Sequence, residues 1–215
     1  MTGTTAKRFK RRTQAARREE SDRRMLRAAT HLISRQGLGA TTLAEIGLAA
    51  GYSSGLPVVR YGSKLGLIEA LLDSMDRWCR VTFAAATAGR RGLDSLKARV
   101  EAHIVGARTI PDGATALQTI LVEARFAFPD LQPRLAALTE YMRQGIRDDL
   151  LDAQRLGEVR NDMDCDVYAG LILGTIRGMM IDKIGHGLDE LQRALPPLLC
   201  EIVQQSRPGE TLVPS

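Results

Sequence analysis

Three places in this 215-residue chain put a hydroxyl at the start of a helix, and the last has a lysine beside it. Thr42 and Glu45 stand in the Thr-x-x-Glu spacing of a capping box, in which two unpaired amides at a helix start are satisfied reciprocally. Ser53 or Ser54 caps a second short helix, and Ser63 with Lys64 opens a long one. A helix start presents free N–H groups and the positive end of the helix dipole, which together suit a phosphate. Thr41 and Thr42 at one helix, and Ser63 and Lys64 at another, are therefore candidate phosphate contacts. Upstream, residues 1–24 carry nine Lys and Arg against three acidic residues, whereas the whole chain has a net charge of only +5. The remainder is thus close to neutral. A basic arm containing Lys7, Arg8, Lys10, Arg11 and Arg12 on a near-neutral body predicts a polyanion partner at one end.

Other chemistries find less support. His31, His103 and His186 have no carboxylate or cysteine neighbours at ligand spacing, so no metal site is expected. Nucleophile-elbow, P-loop and dinucleotide glycine signatures are missing, and with them any expectation of a catalytic residue or a bound cofactor. Cys79, Cys165 and Cys200 are odd in number and widely spaced, which fits a reducing cytoplasm rather than a disulfide framework. The N-terminus is basic and polar, unlike an export leader. The most apolar run, "YAGLILGTIRGMMI", is too short for a membrane span and carries Arg177. Its Gly170, Gly174 and Gly178 recur every four residues on a helical pattern, a spacing that favours close helix–helix approach.

The elements that must position these groups are all helical. Hydrophobic residues make up 44% of the chain, enough for a core, but aromatics only 4%, which argues against a β-sandwich. Residues 1–20 lack an apolar period and read as a flexible arm. From Ser21, a plausible N-cap, Met25, Ala28, Ala29, Leu32 and Ile33 recur at three- and four-residue steps until Gly37. A short helix, the Gly51 turn and a second short helix ending at Gly62 then make the outline of a helix-turn-helix. A long helix from Ser63 breaks at Gly89–Gly92, and helical stretches follow at 93–108, 114–128, 131–156, 164–185 and 188–205.

The head resembles the tetracycline-repressor (TetR) family of bacterial transcription regulators over roughly residues 22–70. The stretch "MLRAATHLISRQGLGATTLAEIGLAAGYSSGLPVVRYGSKLGLIEALL" places Ala50-Gly51, Ser53, Gly55, Tyr61, Ser63 and Lys64 in step with the family pattern. "GEVRNDMDCDVYAGLILGTIRGMM" also looks like that family's penultimate region. The resemblance implies an all-α protein of about nine helices: a three-helix DNA-binding head, residues 21–66, joined to a larger ligand-binding and dimerisation body, residues 67–207. The basic arm, residues 1–20, would precede these and a tail, 208–215, would follow.

The resemblance also implies that the third helix enters the major groove with positions 57 and 61 facing the core. Ser53, Ser54, Gly55, Leu56, Val59 and Arg60 then join the DNA-binding set, Arg60 for guanine or phosphate and Leu56 and Val59 for thymine methyls. Two departures stand out. Val58 occupies the place of the family's common phosphate-contacting tyrosine, and Pro57 that of an aliphatic core residue. With Ser53 as cap, Pro57 would cost the first helical hydrogen bond; with Ser54 it falls among residues whose N–H is unpaired in any case. A helix beginning one residue late, or opening with a 3₁₀ turn, is predicted.

For the body, Trp78, His103, Glu123, Phe126, Tyr141, Tyr168 and Arg177 are candidate ligand-pocket residues. The last two helices, 164–185 and 188–205, are more apolar than one monomer face needs, and in TetR-like proteins such helices pair in a homodimer. The expected function is a cytoplasmic, homodimeric DNA-binding regulator, a repressor released from a palindromic operator by a small apolar or amphipathic effector, with no membrane partner and no enzymatic activity. Two alternatives stay open: a TetR-like ligand-sensing or protein-interaction module with impaired DNA reading, and a helical enzyme.

Overall fold

The computed structural model describes residues 13–182, and among these there are helices and turns but no strand. The elements are α1 (Gln14–Ala40), α2 (Leu43–Ala49), α3 (Leu56–Tyr61), α4 (Lys64–Thr87), α5 (Gly92–Thr109), α6 (Pro111–Ala127), a 3₁₀ turn at Pro129–Leu131, α7 (Gln132–Arg155) and α8 (Cys165–Asp182). The predicted helix at 188–205 and the five named cations of the arm lie outside the described residues, as do His186 and Cys200.

The first helix departs from the sequence expectation at its start. Thr13, not Ser21, is the N-cap, its Oγ1 accepting from the Ala16 amide at 3.2 Å. The segment "QAARREE" has strong helix formers, and Glu20 pairs with Arg23 and Arg24 one turn ahead. That turn has no apolar side to bury, which is why periodicity left it out. Ser21 is buried inside the helix, donating to the Arg18 carbonyl at 2.7 Å. Gly37 breaks the helix as expected, at φ +86°, and a Cβ there would also lie 2.8 Å from Glu123 Oε1.

The entry to α3 answers the question raised by Pro57. The helix starts at Leu56 with Gly55 as N-cap and no side-chain cap, so neither Ser53 nor Ser54 performs that role. The Leu56 amide donates to the Ser53 carbonyl at 3.1 Å, a three-residue turn that tightens the entry. Pro57, in the first turn, forfeits no helical hydrogen bond and is buried. It packs on Gly47 of α2, where a Cβ would come 3.0 Å from Pro57 Cδ.

Two apolar clusters organise the packing. The first joins Met25, Ile33, Leu38, Ile46, Leu67 and Leu72 to Ile120, Ala124 and Leu135 of α6 and α7. The second gathers Phe83, Leu96, Val100, Ile104, Ile146, Leu150 and Ile176. Helix α4 runs through both, and α1 lies along α6 in the most extensive contact among the described helices. Polar groups pin that contact: Glu123 Oε2 accepts from the Gly39 amide at 2.9 Å, and His31 Nδ1 meets Asp112 Oδ2 at 2.8 Å. No described helix is long and apolar enough to cross a membrane.

Candidate nucleic-acid interface and interior cavity

The capping box at α2 is present in full. Thr42 Oγ1 accepts from the Glu45 amide at 3.2 Å, and Glu45 Oε2 accepts from the Thr42 amide at 2.8 Å. Thr41 departs from its assigned role, because it is buried and its hydroxyl donates to the Gly37 carbonyl at 2.7 Å. Ser63 caps α4, its Oγ accepting from the Gly66 amide at 3.1 Å, and remains exposed.

Lys64 is more engaged than expected. Its Nζ donates to the Gly39 carbonyl at 3.0 Å and lies 5.7 Å from the centre of the Phe128 ring. Burial pulls its pKa below the ordinary lysine value, partly opposed by Glu123 and Glu45. Gly39 is thus held at both ends of its peptide groups, by Lys64 of α4 and Glu123 of α6.

Arg60 also turns inward. Its guanidinium pairs with Asp22 Oδ1 at 3.0 Å and donates to Ser21 Oγ at 3.1 Å, both on α1, leaving the side chain 17% exposed. Tyr61, half-buried, donates to the same Asp22 at 3.4 Å, and desolvation pushes its pKa up to about 12. Leu56 packs part-way into the first cluster rather than facing out. From Ser53 through α3, the exposed positions are therefore Ser53, Ser54, Gly55, Val58 and Val59, with Val59 84% exposed, and Leu48 of α2 is exposed as well. Val58 is the residue that sequence reasoning noted only for a missing hydroxyl.

Behind the head lies a cavity of about 500 Å³, walled by α1, α4, α5, α6, α7 and α8. Of the residues expected to line a pocket, Trp78, His103 and Arg177 do so and the others do not. Glu123 is taken by Gly39, and Phe126 is 86% exposed on the far side of α6. Tyr141 and Tyr168 pack against the second cluster, Tyr141 beneath the Arg80 guanidinium at 4.0 Å. Residues the sequence did not single out complete the wall: Asp22 and Leu26 of α1, Leu117 and Gln118 of α6.

Two polar groups of this wall, His103 and Arg177, have few partners among the described residues. His103 is buried, its ring 4.2 Å from that of Phe83, and Nε2 has no hydrogen-bond partner among the described residues. Desolvation, with Arg99 and Arg177 nearby, depresses its pKa to about 3, so the ring is neutral at physiological pH. Arg177 donates to Thr139 Oγ1 at 3.1 Å and approaches Met142 Sδ at 3.8 Å, but forms no ion pair among the described residues. Burial lowers its pKa as well.

Gly106 sets the place of Trp78. A Cβ on Gly106 would collide with the indole ring, so this mid-helix glycine is there for close approach. The signal was visible in the sequence, since an interior helical glycine costs about 1 kcal/mol against alanine and calls for a packing reason. Gly106→Ala is expected to displace the indole and shift the emission of the chain's one tryptophan. Helical content should be unchanged by circular dichroism; an unaltered emission spectrum would contradict the contact.

Residues 25–71 match the model of the bacterial regulatory proteins of the tetR family. No curated protein sequence matches the chain significantly. Solved structures do. A TetR transcriptional regulator from Chloroflexus aurantiacus J-10-FL is 27% identical, with a TM-score of 0.76 over 88% of this chain and 97% of its own. A TetR-family transcriptional regulator from Agrobacterium tumefaciens has the same TM-score at 16% identity, over 86% of this chain and 98% of its own. A gamma-butyrolactone receptor, an ArpA-like protein, is 25% identical with a TM-score of 0.67, over 89% of this chain and 90% of its own. The helix-turn-helix head thus matches the tetR family of bacterial regulatory proteins over residues 25–71, and the helical body beneath it shares the fold of solved TetR regulators.

Proposed function

We propose that the protein is a homodimeric repressor that leaves a palindromic operator when a small apolar or amphipathic molecule occupies the cavity. One observation carries the reading: the cavity wall includes Asp22, the residue that holds Arg60 and Tyr61 of α3 against α1. A molecule that presses on α1 therefore acts on the support of the DNA-facing helix. Release follows when that molecule binds the DNA-incompetent arrangement more tightly than the competent one. The named ligand of one structural neighbour, a gamma-butyrolactone, supports a small organic effector. In this reading Thr42, Ser63 and the amides beside them meet phosphates, Val58 and Val59 face the groove, and the basic arm follows the backbone.

The dimer is supported by α8. Val167, Leu171 and Ile181 are all at least half exposed, and Gly170, Gly174 and Gly178 share that helix with open space where a Cβ would be. Two copies could approach closely along this stripe, with two reading helices about 34–36 Å apart. Leu171→Glu is expected to leave each protomer folded and shift the sedimentation coefficient toward a monomer. A dimer of undiminished stability would move the interface elsewhere.

The engagement of Arg60 and Lys64 within the protein favours a second reading, a sensor whose head no longer reads sequence. A band-shift titration against DNA from the gene's own upstream region, at moderate salt with excess competitor, separates the two. Specific retardation supports the repressor; retardation that competitor abolishes in full favours the sensor.

A further inference from the structure

Resting on the cavity as the effector site, we propose that its occupant is a carboxylic acid with an apolar body, the carboxylate seated on Arg177 and within reach of His103 Nε2. Two polar groups with unused capacity share one apolar enclosure. His103 is 8% exposed and its Nε2 lacks a partner among the described residues, although a buried imidazole nitrogen ordinarily has one. Arg177 offers five N–H donors and spends them on a hydroxyl and a thioether sulfur, with no carboxylate among the described residues. The other arginine near His103, Arg99, is already neutralised by Asp149 at 2.6 Å.

The sign and number of charges follow from this. A desolvated guanidinium without a counter-ion attracts one negative charge, and its planar fork matches the two oxygens of a carboxylate. In its Nε2–H tautomer the neutral ring donates a further hydrogen bond to the carboxylate without adding charge. A phosphate dianion would need a second cation; the other arginines of the wall, Arg23, Arg27 and Arg77, belong to α1 and α4 rather than to the helices that carry His103 and Arg177, and Arg23 is paired with Glu20. A cationic ligand would meet Arg177 directly. The acids of the wall, Glu19 and Asp22, belong to α1, and Asp22 is held by Arg60. Phe83, Leu117, Met142, Leu173, Ile176 and Met180 present apolar surface to the rest of the occupant. The volume lies in the range of sites that enclose a small organic molecule.

Trp78 lines the same cavity and is the only tryptophan, so its fluorescence reads occupancy without DNA. The 215-residue chain is titrated with decanoate and decan-1-ol, and with 4-butylbenzoate and 4-butylbenzyl alcohol, each pair sharing a body and differing in the acid. Each acid that binds should do so at least about ten-fold more tightly than its alcohol, the equivalent of one charge-assisted hydrogen bond. Decylamine should bind more weakly than either decyl compound. In Arg177→Met the acid preference should collapse to within about two-fold while the alcohols bind as before, which shows that the cavity is intact.

Alcohols that match or exceed their acids in the native protein overturn the proposal, and that comparison needs no variant. So does an acid preference that survives Arg177→Met, or a failure of every probe to perturb Trp78. A band shift in the presence of the bound acid keeps the two readings apart. An acid that binds but leaves the DNA complex intact retains the site and removes the release mechanism. DNA released only by a neutral molecule does the reverse.

Discussion

Replacing Asp149 with alanine is expected to destabilise the protein by about 3–5 kcal/mol, the cost of stranding a buried charge. Asp149 on α7 accepts from Arg99 Nε at 2.6 Å and from Ser95 Oγ at 2.7 Å, both on α5. Arg99 and Asp149 side chains are 13% and 8% exposed, so water replaces little of what the substitution removes. Against the 5–15 kcal/mol typical of a folded domain, such a loss is a large fraction of the whole. Urea unfolding followed by circular dichroism measures it. Removing both charges, Arg99→Met with Asp149→Leu, should recover most of the stability, because an apolar pair of similar volume incurs no desolvation penalty. If Asp149→Ala costs less than about 1 kcal/mol, the pair is solvated and does not join α5 to α7.

Val59→Glu should reduce operator affinity by at least about 100-fold, or about 2.7 kcal/mol, while leaving the fold intact. Val59 is 84% exposed and belongs to neither apolar cluster, so folding supplies no reason for a valine there. Exposed substitutions of this kind change stability by no more than about 0.5 kcal/mol. In a DNA complex the same carboxylate would lie among phosphates and lose the apolar contact. Arg60→Ala should behave in the opposite way. Its guanidinium is spent on Asp22 and Ser21, so the change should lower the head's thermal stability and leave the ratio of specific to nonspecific binding unchanged. Native-like affinity in Val59→Glu would take α3 out of the groove, and a relaxed specificity in Arg60→Ala would return that residue to base reading.

The contrast between Val59 and Arg60 marks where sequence reasoning reached its limit. Local rules located the helix-turn-helix, because a capping box and a helix-ending glycine act over three or four residues. They also restricted Pro57 to the first turn, where the structure has it, although the cap moved on to Gly55. Arg60 was assigned outward because its partner lies 38 residues upstream, in a turn where no pattern announced a contact. Thr41 was assigned outward for a different, local reason: its hydroxyl turns back to the Gly37 carbonyl four residues upstream, across a break in the helix.

The cavity shows the same division. Helical periodicity ranks residues by how apolar their face is, and both Leu117 and Phe126 look suitable. They are nine residues apart, two and a half turns, so they point in opposite directions, and only Leu117 meets the cavity. By itself the sequence determined the helical class, the approximate ends of α4 to α7, the start of α8 and the family that the head resembles, since propensity, capping and turn chemistry are local. Only the tertiary structure decided which charged groups are spent within the protein and which are left over. Asp22 holds Arg60, Glu123 and Lys64 hold Gly39, and Asp149 neutralises Arg99, each across a packed interface. Arg177 and His103 instead face the cavity with donor capacity left over among the described residues, because a charge or an imidazole is satisfied by whatever folding brings within about 3 Å.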